Sequence, residues 1–160
     1  MQLTQYSIKH EESGKELLFD LGTRYDWWNL PAPVAATIEG HVPGYRVLKD
    51  PIEILTEGGV DLEKVEALVL SHLHFDHFGN PSALPKSVKL VVGQGFKKAC
   101  MPGYPKNEGS PFHEADFEGR EVVEVPFDEK KITIGDFRAF DYFGDGSFYS
   151  TSQWSPRRPR

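Results

Sequence analysis

The sequence predicts a mixed α/β domain, on three observations. Two near-continuous apolar segments, Lys64 to Ser71 and Val88 to Val92, read as strands of a sheet covered on both faces. Segments ahead of them carry proline at the first helical position and glycine after the last, the punctuation of short helices. The last third breaks into short strand-like stretches around Gly144-Asp145-Gly146, which favours antiparallel pairing.

Taken in order, Gln5 to His10 and Glu16 to Asp20 are expected to pair as a hairpin around Ser13-Gly14, whose residues supply turn chemistry. Pro31 and Pro33 precede Val34 to Glu39, with Gly40 closing a short helix. Asp50-Pro51-Ile52-Glu53 is a stronger helix start: Asp50 caps, Pro51 suits the first turn, and Glu53 can reach back to the cap N–H. Gly58 ends that helix before the 64–71 strand. Further short strands are expected at Glu121 to Val125, Lys131 to Ile134 and Phe137 to Tyr142, with a hairpin leading into Ser147 to Ser150.

Composition narrows the class. A chain of 160 residues has a one-domain length; 39% hydrophobic residues is on the low side of ordinary globular composition and 26% charged is typical, neither disordered nor fibrous. A net charge of −6 argues against nucleic acid, whose phosphates reward a basic face. The longest clean apolar run, Ala67 to Leu70, is far short of the ~20 residues that span a membrane. Met1 to Gln5 lacks the basic and apolar regions of a secretory signal, and the single Cys100 cannot form an internal disulfide. A cytoplasmic protein is therefore expected, with Cys100 packed as a small residue under Phe96.

The chemistry concentrates in Ser71 to Asn80, S-H-L-H-F-D-H-F-G-N. An ordinary solvated loop would account for one histidine, but His72, His74, Asp76 and His77 are the donor types that zinc, iron and manganese share. In an extended segment, side chains at i and i+2 point the same way, so His72 and His74 can converge on one ion. A turn into helix at Phe75 or Asp76 would carry Asp76 and His77 toward a second point, dividing four ligands between two metals. His10, His41 and His113 read as exposed structural histidines. Tyr25, Trp27 and Trp28 lie in a turn-like stretch and are either peripheral core or the wall of an apolar substrate pocket.

The H-x-H-x-D-H string, with Val65 to Ser71 before it and Phe78-Gly79 after, resembles the signature of the metallo-β-lactamase superfamily. Leu17 to Gly22 resembles the strand that ends in Asp-x-Gly in that family, and Ile54 to Asp61 its helix and glycine turn. Val91 to Phe96 and Pro102 to Pro105 are most similar to lactonase-like and fungal members. The resemblance covers about residues 1–149 and implies the first half of a four-layered αββα sandwich. Residues 150–160 are expected as a divergent, disordered tail.

What the resemblance implies for chemistry is a Zn2+-dependent hydrolase of one or two ions acting on a lactone or other ester. His72 and His74 would hold one ion, and Asp76 and His77 the other. Metal-bound hydroxide would attack the carbonyl, and Asp76 would also serve catalysis by accepting a hydrogen bond from the nucleophile and passing a proton on. In the family, a third histidine, a bridging aspartate and a further histidine follow later; no stretch of this sequence matches them. With two ligands per ion, the expectation is weak metal binding and poor activity unless another chain supplies ligands. The alternative is a truncated, non-catalytic metal-binding or interaction domain. A small-molecule substrate, no nucleic acid, no membrane and self-association through an exposed sheet face complete the expected partners.

Overall fold

The computed structural model describes residues 5–127 and 132–152, and the chain forms two compact units, Met1–Glu124 and Val125–Arg160. The first unit is built on a five-stranded sheet: β1 (Tyr6–Lys9), β2 (Glu16–Phe19), β3 (Val65–Val69), β4 (Lys89–Val92) and β5 (Val122–Glu124), in that spatial order. β1 and β2 form the expected antiparallel hairpin, with Ser7 opposite Leu18. β2, β3, β4 and β5 then run parallel.

Helices make the crossovers: α1 (Ala32–His41), α2 (Pro51–Glu57), α3 (Phe75–Phe78) and α4 (Phe96–Cys100). In α2 the Asp50 side chain accepts from the Ile52 N–H at 2.9 Å, as its cap position predicts. α1 begins two residues earlier than the sequence suggests, at Ala32, because Pro31 closes the preceding turn and the helix admits Pro33 in its first turn.

Parallel pairing places Leu18, Leu68, Leu90 and Val122 in one row, and these join Leu55, Phe78, Phe96, Phe112 and Phe117 in the core. Phe78 stacks on Phe112 with ring centroids 3.7 Å apart, and Phe117 meets both edge-on. Side chains of this size each contribute roughly 1.5–3 kcal/mol on full burial. Cys100 lies in the same core. On the other sheet face Leu17, Ala67, Val69 and Val91 are all less than 5% exposed.

The second unit contains a three-stranded antiparallel sheet of β6 (Ile132–Ile134), β7 (Phe137–Asp141) and β8 (Tyr149–Thr151). The Asp141 carboxylate accepts from the Gly144 and Gly146 N–H groups and shapes the turn between β7 and β8. That turn delays pairing to Tyr149, so β8 starts two residues later than expected and runs through Ser150 and Thr151 into the stretch read as tail. The remaining tail positions, 153–160, and Lys131 of the expected strand lie outside the described residues. Among the described residues, no helix is long and apolar enough to cross a membrane.

Candidate metal centre

The motif follows β3 directly, at the carboxyl ends of parallel strands, where open α/β sheets expose their loops. The chain bends at Ser71 and Leu73, is extended at His74, and enters α3 at Phe75. Gly79 ends α3 at φ 61°, and a Cβ there would lie 2.6 Å from the Leu21 carbonyl oxygen. Glycine is required on both counts, positive φ and close approach. The Leu21 N–H donates to the His77 carbonyl at 2.7 Å, fastening the helix to the end of β2.

The four predicted side chains come together as two neighbouring pairs. His72 Nε2 and His74 Nδ1 are 3.0 Å apart, and His77 Nε2 lies 3.8 Å from Asp76 Oδ2. The two pairs adjoin, with the His72 and His77 ring centroids 4.0 Å apart. His72 and His74 are exposed, whereas the Asp76 and His77 side chains are mostly covered.

A residue that sequence reasoning gave no chemical role organises both pairs. Asp20, 2% exposed and left-handed at φ 56°, accepts from the Ser71 N–H at 2.8 Å and from the Ser71 hydroxyl at 2.7 Å. It also pairs with His77 Nδ1 at 2.7 Å. Because the one Ser71 hydroxyl proton points at Asp20, the 2.9 Å contact between Ser71 Oγ and His72 Nδ1 requires His72 to donate. Neutral His72 then presents an unprotonated Nε2, and neutral His77, donating Nδ1–H to Asp20, does the same. Partial burial first, then the adjacent imidazoles of His77 and His74, hold His72 below the usual histidine pKa. The available signal for Asp20 was the Asp-Leu-Gly ending of an apolar strand.

This donor set fits a divalent metal ion that takes imidazole and carboxylate ligands, zinc among them. Two nitrogens on one tetrahedral zinc at 2.0–2.1 Å lie about 3.3 Å apart, close to the His72–His74 separation. A buried carboxylate holding the far nitrogen of a ligating imidazole is the usual support for such a ligand.

The other histidines have structural partners: His10 contacts Ser13 Oγ, His41 the Thr37 carbonyl, and His113 Nε2 the Asn29 carbonyl at 2.7 Å. His113 thereby ties down the aromatic loop. Arg24 grips Asp26 with two hydrogen bonds of 2.7 and 2.9 Å, and this guanidinium, ahead of an amide bond from Asn29, lowers the Asp26 pKa to about 2. Tyr25 is 47% and Trp28 56% exposed, and Trp27 is partly buried. Edge-to-face contacts run from Trp28 to Trp27, Tyr45 and Phe75, ending one residue before Asp76.

The comparisons agree with this geometry. The family model described as the metallo-beta-lactamase superfamily matches residues 8–147. Gamma-lactamase FDB1 of Fusarium pseudograminearum (strain CS3096) is 42% identical over 148 residues, covering 92% of this chain and 36% of the relative. Gamma-lactamase MBL2 of Gibberella moniliformis (strain M3125 / FGSC 7600) is 44% identical over 137 residues, covering 85% of this chain and 57% of the relative. The chain thus spans between about a third and three fifths of these relatives' lengths. Among solved structures, a B. thuringiensis AiiA mutant with N-decanoyl-L-homoserine bound at the active site superposes with a TM-score of 0.55 at 17% identity. That match covers 86% of this chain and 52% of the other, and shows the shared fold alone. From its motif, its sheet order and these relatives, the chain belongs to the metallo-beta-lactamase superfamily and carries that superfamily's hydrolase fold.

Proposed function

We propose that this chain supplies the metal-holding part of a zinc-dependent hydrolase that opens a cyclic acyl ring. The observation that carries the reading is the paired geometry: His72 Nε2 beside His74 Nδ1, with His77 anchored on buried Asp20 and its Nε2 turned toward Asp76. His72 and His74 would hold one ion, and Asp76 and His77 a second. Zinc, when bound, supplies Lewis acidity and a water acidic enough to ionise near pH 7.

Asp76 then has the protein's own role in the reaction. Its partly covered carboxylate can accept a hydrogen bond from the attacking water, take up a proton and return it to the departing ring atom. A lactone, expected from the sequence, and a γ-lactam, suggested by the relatives' names, present the same ring carbonyl and differ in whether oxygen or nitrogen leaves. The lactam nitrogen needs that proton more, so Asp76 matters most for the lactam. Trp27, Trp28 and Tyr45 supply an aromatic surface leading to the motif, suited to an uncharged substrate.

The test is zinc analysis of the purified chain with ring opening of γ-butyrolactam and γ-butyrolactone. The expected result is bound zinc, lost on His72→Ala with His74→Ala, and slow turnover removed by Asp76→Asn. The rate is expected to be low, because two protein ligands per ion fall short of the usual three. Absence of zinc from metal-replete protein, or turnover indifferent to Asp76→Asn, would reject the reading.

A further inference from the structure

Beside the motif a crevice of about 280 Å³ opens between the segments that follow β3 and β4. Its floor is Leu70, Val92 and Phe96, each less than 8% exposed. Leu73 and Ala99 also line it, and His72 forms the boundary with the motif. Leu73 is 41% exposed, an unusual setting for a leucine between two histidines. Gly93 and Gly95 border the opening, and a Cβ at either would meet no atom within 4 Å. Its lining includes no Asp, Glu, Lys or Arg, and its polar side chains are Ser71, His72 and Gln94.

We propose that this crevice is a specificity subsite for a neutral, apolar substituent carried by the ring whose carbonyl meets the motif. The proposal rests on the reading of the motif as a hydrolytic centre and names the kind of substrate that centre takes. Three features support this occupant. The crevice lies outside the carboxyl ends of two adjacent parallel strands, where ligands collect in sheets of this type. Its lining is aliphatic and aromatic with a few polar groups, the make-up of small-molecule sites. Its volume is nearly twice the ~150 Å³ that accommodates benzene, enough for one ring or a chain of about six carbons. A charged substituent would lose hydration there and find no counter-charge.

The experiment titrates the whole chain with γ-decalactone, which bears a hexyl chain, and with unsubstituted γ-butyrolactone. Methyl resonances of Leu70, Leu73 and Val92 report binding independently of turnover. Saturable shifts are expected with γ-decalactone and not with γ-butyrolactone. A carboxylate at the end of the chain should abolish them.

Ala99→Trp should raise the Kd for γ-decalactone by at least about tenfold, equivalent to denying burial to two methylenes, with zinc content unchanged. Ala99→Leu, a milder filling of the same wall, should produce a smaller rise and guards against misfolding of the tryptophan variant. Methyl shifts that saturate in protein without hydrolytic activity would uphold the subsite and refute the reaction. Hydrolysis of both lactones at equal KM, with those methyls unmoved or with Kd changed less than about twofold in both Ala99 variants, would overturn the subsite and leave the reaction standing.

Discussion

The two halves of the motif differ in what holds them. Asp76 and His77 sit in α3, whose next residue, Phe78, is 1% exposed and stacked in the aromatic core, and His77 is tied directly to buried Asp20. His72 and His74 are exposed, and their side chains meet each other and, for His72, Ser71 and the His77 ring, with no bond to a buried group of their own. One half is thus preorganised by the fold, and the other is adaptable and tethered indirectly. Ligand sites gain affinity when the protein bears the ordering cost before the ligand arrives. The Asp76–His77 side should therefore be sensitive to changes in the core, and the His72–His74 side to changes in the ion.

The largest effect should come from removing the foundation of the rigid half. Phe78→Ala is expected to cost about 3–5 kcal/mol in urea unfolding, while Leu73→Ala, in the exposed half, should stay within ~0.5 kcal/mol. Equal losses would mean that the two halves share one mechanical unit.

Next comes Asp20. Asn keeps the shape and tolerates the left-handed backbone, but its amide cannot accept from all three donors with a full negative charge. Asp20→Asn should weaken zinc binding by about 10–100-fold in calorimetry. Stability should fall by about 1–3 kcal/mol, since Ser71 and His77 lose a charged acceptor. Unchanged zinc affinity would show that Asp20 serves the fold alone.

A smaller effect probes the aromatic loop, which neither half anchors. The Asp26 pKa is depressed to about 2 from 3.8, so its ion pair stabilises the fold above 3.8, and that contribution is lost as pH falls through about 2. Because the side chain is about a third exposed, screening limits the amount to about 1 kcal/mol. Acid denaturation curves of wild type and Asp26→Asn should therefore converge below pH 2 and separate above it. Smallest of all, Trp28→Ala should change stability by no more than ~0.5 kcal/mol and leave zinc affinity unaltered, because Trp28 is 56% exposed.

The histidine and carboxylate pairs were legible because their spacing is local: residues two apart before a helix start, and two adjacent ones inside it, need no long-range register to meet. The buried strands were legible for the same reason, their apolar runs being continuous over β3 and β4. Asp20 was not, because its role depends on a parallel register joining β2 to β3 across 51 residues of chain. A strand-ending aspartate before glycine reads equally well as turn chemistry. The role of His113 was hidden likewise, since its partner Asn29 is 84 positions away. The start of β8 shifted because Asp141 gathers two glycine N–H groups, a tertiary choice that period-two patterning does not encode.

The 51-residue span between Asp20 and Ser71 also orders events in time. His72 and His74 can meet in an unfolded chain, whereas the Asp20 anchor for His77 exists only after β2 and β3 have paired, a slow non-local step. Zinc present during refolding can therefore be captured by the local histidines of the denatured ensemble and so delay the fold that completes the site. Refolding should recover more native protein when zinc is added after the chain has collapsed than when it is present from the start. Recovery that does not depend on the order of addition would show that the local pair does not hold metal on its own.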